Sequence, residues 1–228
     1  MLVTLGEEVP VPQQTPRRRA ARKPPEQRAA EIRATARELA LADGLSAMTL
    51  RAVAQQAGVT PALVAHYEPS MEALTAETFA VIVREEIADV KAAVAALAAP
   101  TERVGYVLHT LLDGSRDEVT AVWVDAWSLG RRMDLLARAV REQTDAWQQL
   151  LRDLIVAGRD AGEFVTDDPD SVAWLVLGMI DGLNAHALVH YRDARARGLV
   201  MSRAVESELG LPRSALSKPP PSKPPVTP

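Results

Sequence analysis

Residues 49–67 read TLRAVAQQAGVTPALVAHY. Apolar side chains fall at Leu50, Val53, Ala57, Val59, Val64 and Tyr67, the offsets of two short helices joined by a tight turn. Ala54 stands where the helices would touch, and its small side chain lets their backbones approach. Gly58 follows the first helix, where a left-handed backbone is needed and glycine adopts it without steric cost. Thr60 is placed to cap the second helix, and Pro61 occupies its first position, where a missing N–H costs nothing. A turn of this kind can project its second helix into a DNA major groove. The same offsets also occur at ordinary corners of helical cores, so the decision rests on what surrounds the stretch.

Outward from it, the pattern is helical throughout and no strand alternation or internal repeat is visible. Apolar positions place a helix over 26–42, ended by Asp43-Gly44. Ser70 is positioned to cap a long helix from Met71 to about Ala98, and Pro100 breaks it. Further helices are expected over 101–112, 117–129, 133–161, from Asp168-Pro169 to about Ala194, and from about Val200 to Leu209. Residues 1–25 are rich in Pro, Gln and Arg and read as a disordered basic arm. Residues 212–228 read as a disordered Pro-rich tail. The expected units are thus the arm, a head over 26–70, a helical body over 71–211, and the tail.

The chain has 228 residues, is 47% hydrophobic and only 4% aromatic, and carries a net charge of −4. It has no cysteine, which excludes disulfides, thiolate metal sites and a cysteine nucleophile. The charge is uneven. Residues 17–67 hold nine cations against four carboxylates, a net +5, leaving about −9 elsewhere. A basic N-terminal portion on an acidic body fits a modular DNA binder. The longest apolar run, Val172–Ile180, stops at Asp181, short of the ~20 residues of a membrane span. No secretion-signal core follows the N-terminal arginines, and the expected location is the cytoplasm.

A basic arm, three N-terminal helices ending in this turn, and a larger helical body resemble the TetR family of bacterial regulators. The residues that carry the resemblance are Thr49, Val53, Ala54, Ala57-Gly58-Val59-Thr60, Pro61-Ala62-Leu63-Val64, Tyr67 and Ser70, with Glu72 and Leu74 opening the fourth helix. The body is similar to the BetI-type variety. It has Trp123 and Trp127 one turn apart, then a long helix ending in Gly162-x-Phe164, then Asp181-Gly182-Leu183. Three positions depart from the family: Glu68 replaces an aromatic, Met71 a phosphate-binding Lys, and Ala65 a frequent phosphate-binding Tyr.

The resemblance implies an all-α fold, with a helix-turn-helix DNA-binding domain followed by a ligand-binding and dimerisation domain. It implies a regulator, typically a repressor, released from a DNA operator by a small molecule. Thr60, Ala62, Leu63 and His66 could face bases, Arg51 a guanine or a phosphate, and Thr49 and Tyr67 phosphates. Arg17, Arg18 and Arg19 could follow the backbone or enter the minor groove. Phe79, Val83, His109, Trp123, Trp127, Met133 and Trp147 lie on apolar faces expected to converge on an effector pocket. The expected effector is largely apolar or aromatic. The last two helices are expected to form the homodimer interface.

No cofactor, membrane partner or catalytic group is expected. His186 and His190, four apart near Asp181, have a metal-compatible spacing, but no third ligand or zinc-hydrolase motif accompanies them. The acidic Asp167–Asp170 run is explained by helix capping. The alternative reading is a helical small-molecule-binding protein or enzyme that keeps the three-helix module without operator binding.

Overall fold

A computed structural model describes residues 24–217. Among these it contains nine α-helices, one 3-10 turn and no strand. The helices are α1 (Pro25–Asp43), α2 (Leu50–Gln56), α3 (Pro61–Tyr67), α4 (Met71–Ala95), α5 (Pro100–Leu112), α6 (Asp117–Gly130), α7 (Asp134–Asp160), α8 (Pro169–Leu188) and α9 (Ala194–Glu208). The 3-10 turn, Leu45–Ala47, lies between α1 and α2.

Helices α1–α3 form the head. Ile32, Ala36, Leu39 and Ala40 of α1 are buried with Val53, Ala54 and Val64. The expected turn chemistry is in place. Thr49 accepts from Ala52 N and Thr60 from Leu63 N. Gly58 takes φ 65, and the amide of Val59 bonds back to the Ala54 carbonyl while that of Gly58 reaches Gln55. That pairing closes the orphan carbonyls at the end of α2.

Helix α7 is the axis of the body, packing against α4, α5, α6 and α8. Its core face carries Leu136, Trp147, Leu150, Leu151, Leu154 and Ile155. It ends as α2 does: Gly162 at φ 76, Gly162 N to the Arg159 carbonyl, and Glu163 N to that of Gly158. The turn folds Phe164 back into the core beside Gly158.

Three expectations are corrected. Helix α8 stops at Leu188, because His190 and Arg192 adopt φ 58 and φ 65 in the turn that follows. Helix α9 starts at Ala194, where Asp193 accepts from Ala196 N, so the aspartate expected inside a helix is a cap instead. His190 is therefore off the helix, and the i, i+4 pairing with His186 does not form. The Pro-rich segment also departs from the expected tail over 212–217. Buried Glu206 accepts the amides of Ser214 and Leu216, and Leu216 is buried against Gly105 of α5. The rest of that tail and the arm over 1–23 lie outside the described residues.

By length and composition, one described helix, α8, is apolar enough to cross a membrane, although the sequence showed no continuous run of that length. The reason is that both its faces are apolar. Val172, Ala173, Val176, Leu177 and Ile180 face the core, while Trp174 and Leu175 are 61% and 40% exposed.

Candidate nucleic-acid interface and effector site

Most described positions expected to meet DNA are exposed on the head. Pro61, Ala62, Ala65 and His66 are exposed on α3, Leu63 is half-buried, and Val64 anchors the helix in the core. Thr49, Arg51 and Thr60 are exposed around it. Tyr67 is half-buried, with the His66 ring edge-on at 5.0 Å. Arg17, Arg18 and Arg19 lie outside the described residues.

Glu68 has a clear local role. Its carboxylate receives the Arg33 Nε at 2.7 Å, pinning the end of α3 to α1. Arg33 is largely exposed, so the pair contributes at most about 1 kcal/mol.

The described residues of the body line a small cavity and an open groove. The smaller, of about 40 Å³, lies among α4, α5, α6, α7 and α8 and is lined by Glu86, Arg116, Trp123, Trp147, Asp181 and Asn184 among others. Phe79 and Trp123 stand nearly perpendicular with ring centroids 4.9 Å apart, and the Trp127 ring is centred 5.6 Å from that of Trp123. Of the effector positions expected from sequence, Trp123 and Trp147 line this cavity. Phe79 and Trp127 back it through Trp123, Val83 is buried core on the same helix as Glu86, and Met133 packs against the core at the start of α7. His109 is elsewhere. It lines an open groove of about 530 Å³ between α5, α9 and the 212–217 segment.

Sequence reasoning missed Glu86 and assigned Asp181 no effector role. Both carboxyls are pushed up by burial, Glu86 to about 7 and Asp181 to about 6. Arg116 opposes the shift at Glu86, but its Nη1 stands 3.5 Å away and desolvation prevails. Glu86 falls seven residues after Phe79, on the same buried face of α4, and that periodicity was the available signal.

Asp168 behaves differently. It caps α8, accepting from Ser171 N and Oγ, and those bonds lower its pKa. Among the described residues no group of three or more His, Asp or Glu is placed to hold a metal.

Residues 32–78 match the profile of bacterial regulatory proteins of the TetR family, and residues 100–210 match that of the BetI-type transcriptional repressor C-terminal domain. The HTH-type transcriptional regulator BetI of Rhizobium meliloti is 32% identical over 142 residues, spanning 61% of this chain and 68% of that protein. The chain belongs to the TetR family. It is a DNA-binding transcriptional regulator, and its family is one of regulators rather than enzymes. The fold agrees. A regulator from Saccharomonospora viridis in complex with choline superposes with a TM-score of 0.70 at 20% identity, covering 81% of this chain and 98% of that one. A TetR-family regulator from Agrobacterium tumefaciens gives a TM-score of 0.70 at 18% identity, covering 82% and 100%.

Proposed function

We propose that this regulator is a repressor that binds operator DNA as a homodimer through α3, and that a small organic cation releases it from DNA. The observation that carries the effector reading is the pairing of Glu86 and Asp181 with the indoles of Trp123 and Trp147 around one cavity. Aromatic faces and carboxylates together suit a cation with apolar substituents, above all a quaternary ammonium. The apolar character expected from the tryptophans is kept, and a positive charge is added to it. The choline held by the Saccharomonospora viridis relative is a ligand of this kind.

At about 40 Å³ the cavity has room for little more than a water molecule. An effector must therefore select an expanded body, and that differential affinity is what can shift the head. Helix α4 joins the two, since it begins four residues after α3 ends and carries Phe79, Val83 and Glu86. The test is a titration with choline chloride, followed by tryptophan emission and by release of a duplex that the regulator enriches from a random pool. Quenching and release over one concentration range are expected. Release by a neutral phenol but not by choline overturns the cationic reading.

In the DNA complex, Thr60, Ala62, Leu63 and His66 face bases, with Arg51 on a guanine or phosphate and Thr49 and Tyr67 on phosphates. Arg17, Arg18 and Arg19 extend the contact along the backbone. With no Asn or Gln on this face, thymine methyl contacts and DNA shape carry much of the specificity. Tyr67→Ala is expected to weaken operator and random duplexes alike, by roughly tenfold or more for a lost bond to a charged group. The salt slope should stay unchanged, because a neutral hydroxyl displaces no counterion. A filter-binding series over salt concentration measures both quantities.

The dimer forms through the outer faces of α8 and α9, where Trp174, Leu175, Leu199 and Val200 are exposed. Gly178 and Gly182, one turn apart on α8, have no atom within 4 Å of where a Cβ would sit. Gly182→Arg should therefore leave the fold intact and give a monomer by sedimentation, with operator affinity lost.

A further inference from the structure

A side chain of α6 that does not line the candidate effector cavity reaches across to the reading head. Asp125 sits on α6, two residues beyond Trp123 and two before Trp127. Its Oδ2 accepts the backbone amide of Ser46, in the 3-10 turn between α1 and α2, at 2.8 Å. The carboxylate reaches that amide by passing Gly44, which holds φ 84. A Cβ there would lie 2.6 Å from Oδ2. Only glycine admits both the backbone conformation and the close approach. The acceptor is a carboxylate and the donor is main chain, the pairing of a charge-assisted bond.

Among the described residues, a further polar link between the head and α4 joins exposed ends of flexible side chains: Arg37 Nε meets Glu85 at 2.9 Å. Such a pair can follow relative motion without resisting it. The Asp125 link differs, because it grips backbone and is anchored on a helix. Val122 and Ala126 fix α6 in the core, and Trp123 lines the cavity. A helical turn moves as one piece, so a displacement of Trp123 reaches the turn that sets the angle between α1 and α2.

We propose that Asp125 is the positioning residue through which occupation of the cavity is transmitted to the DNA-reading head. This rests on the cavity being the effector site, but coupling is reciprocal, so it can be read without an effector. DNA binding at the head must disturb the indoles of the body. All four tryptophans lie in the body, at 123, 127, 147 and 174.

The experiment uses the full chain with all four tryptophans intact, and the duplex enriched from a random pool. Saturation with duplex is expected to shift the tryptophan emission. Asp125→Ala should bind the duplex within about fivefold of its parent and show no shift. Asp125→Asn, which retains an oxygen acceptor, should restore it. An undiminished shift in Asp125→Ala overturns the proposal, as does a parent that shows none. Loss of duplex binding in folded Asp125→Ala also overturns it, making Asp125 a support of the head. If Asp125→Ala does not fold, amide exchange in the unmutated protein decides. Exchange at Ser46 should change when duplex binds, and an unaltered rate overturns the proposal. Failure of choline to release DNA, by contrast, touches only the effector reading.

Discussion

Choline affinity is expected to rise steeply with pH between about 5 and 8 and to level off above. A cation needs the ionised forms of Glu86 and Asp181, whose carboxyls burial holds at about 7 and about 6. Each pH unit below a pKa reduces the charged fraction about tenfold. If both charges are needed, the loss from pH 8 to pH 5 approaches a thousandfold, and if only Glu86 is needed, a hundredfold. The stability of the empty protein should run the other way. A carboxyl with a raised folded-state pKa binds more protons folded than unfolded, so these groups lower stability as pH rises from about 4 through 7. For Glu86 the change is on the order of 3 kcal/mol. Choline should recover part of it at pH 8 and little at pH 5. Calorimetric titration and thermal melts across this range check both trends, and an affinity independent of pH would remove the two carboxyls from the site.

Gly158→Ala is expected to be severe although alanine is the better helix former. Gly158 lies inside α7, and a Cβ there would stand 2.1 Å from ring atoms of Phe164, which is itself buried at 3% exposure. Neither can yield easily. The Phe164 amide bonds to the Gly158 carbonyl at 3.1 Å, so the ring is tied to the residue it would strike. Overpacking of this kind costs typically 1–3 kcal/mol, and a contact this short belongs at or above the upper end. The gain in helix propensity returns about 1 kcal/mol. A fall in Tm of several degrees is expected, reversed in part by adding Phe164→Leu.

The head was legible because its chemistry is local. Thr49, Gly58, Thr60 and Pro61 each act within four residues of themselves, and spacing alone reveals them. The same holds for Gly162 and for Asp168. The candidate effector site was legible only in part. Trp123 and Trp147 stand out because aromatic residues are scarce, yet they come from different helices that only packing brings together. Glu86 and Asp181 looked like ordinary charges on helices, and His109 like a neighbour of the tryptophans, although it lines the separate groove beside α9. Which side of a helix meets which neighbour depends on crossing geometry, and periodicity does not encode it. The start of α9 was missed for a different reason: Asp193 is a good cap and also an unremarkable polar residue, and the backbone reversal at His190 and Arg192 has no glycine to announce it. The docking of Leu216 is equally non-local, since its partners are Glu206 and Gly105.

The smallness of the cavity between Trp123 and Asp181 also has a kinetic consequence. A ligand larger than a water molecule cannot enter the form described here by simple collision, so entry waits on a fluctuation of α6 and α8 away from α4. The observed rate of effector association should then climb with effector concentration and saturate at the first-order opening rate, where direct docking would keep rising in proportion to concentration. Induction would be timed by the protein's own breathing once effector is abundant, and a substitution that loosened the packing around Trp123 would quicken the response while weakening discrimination among cations of different size.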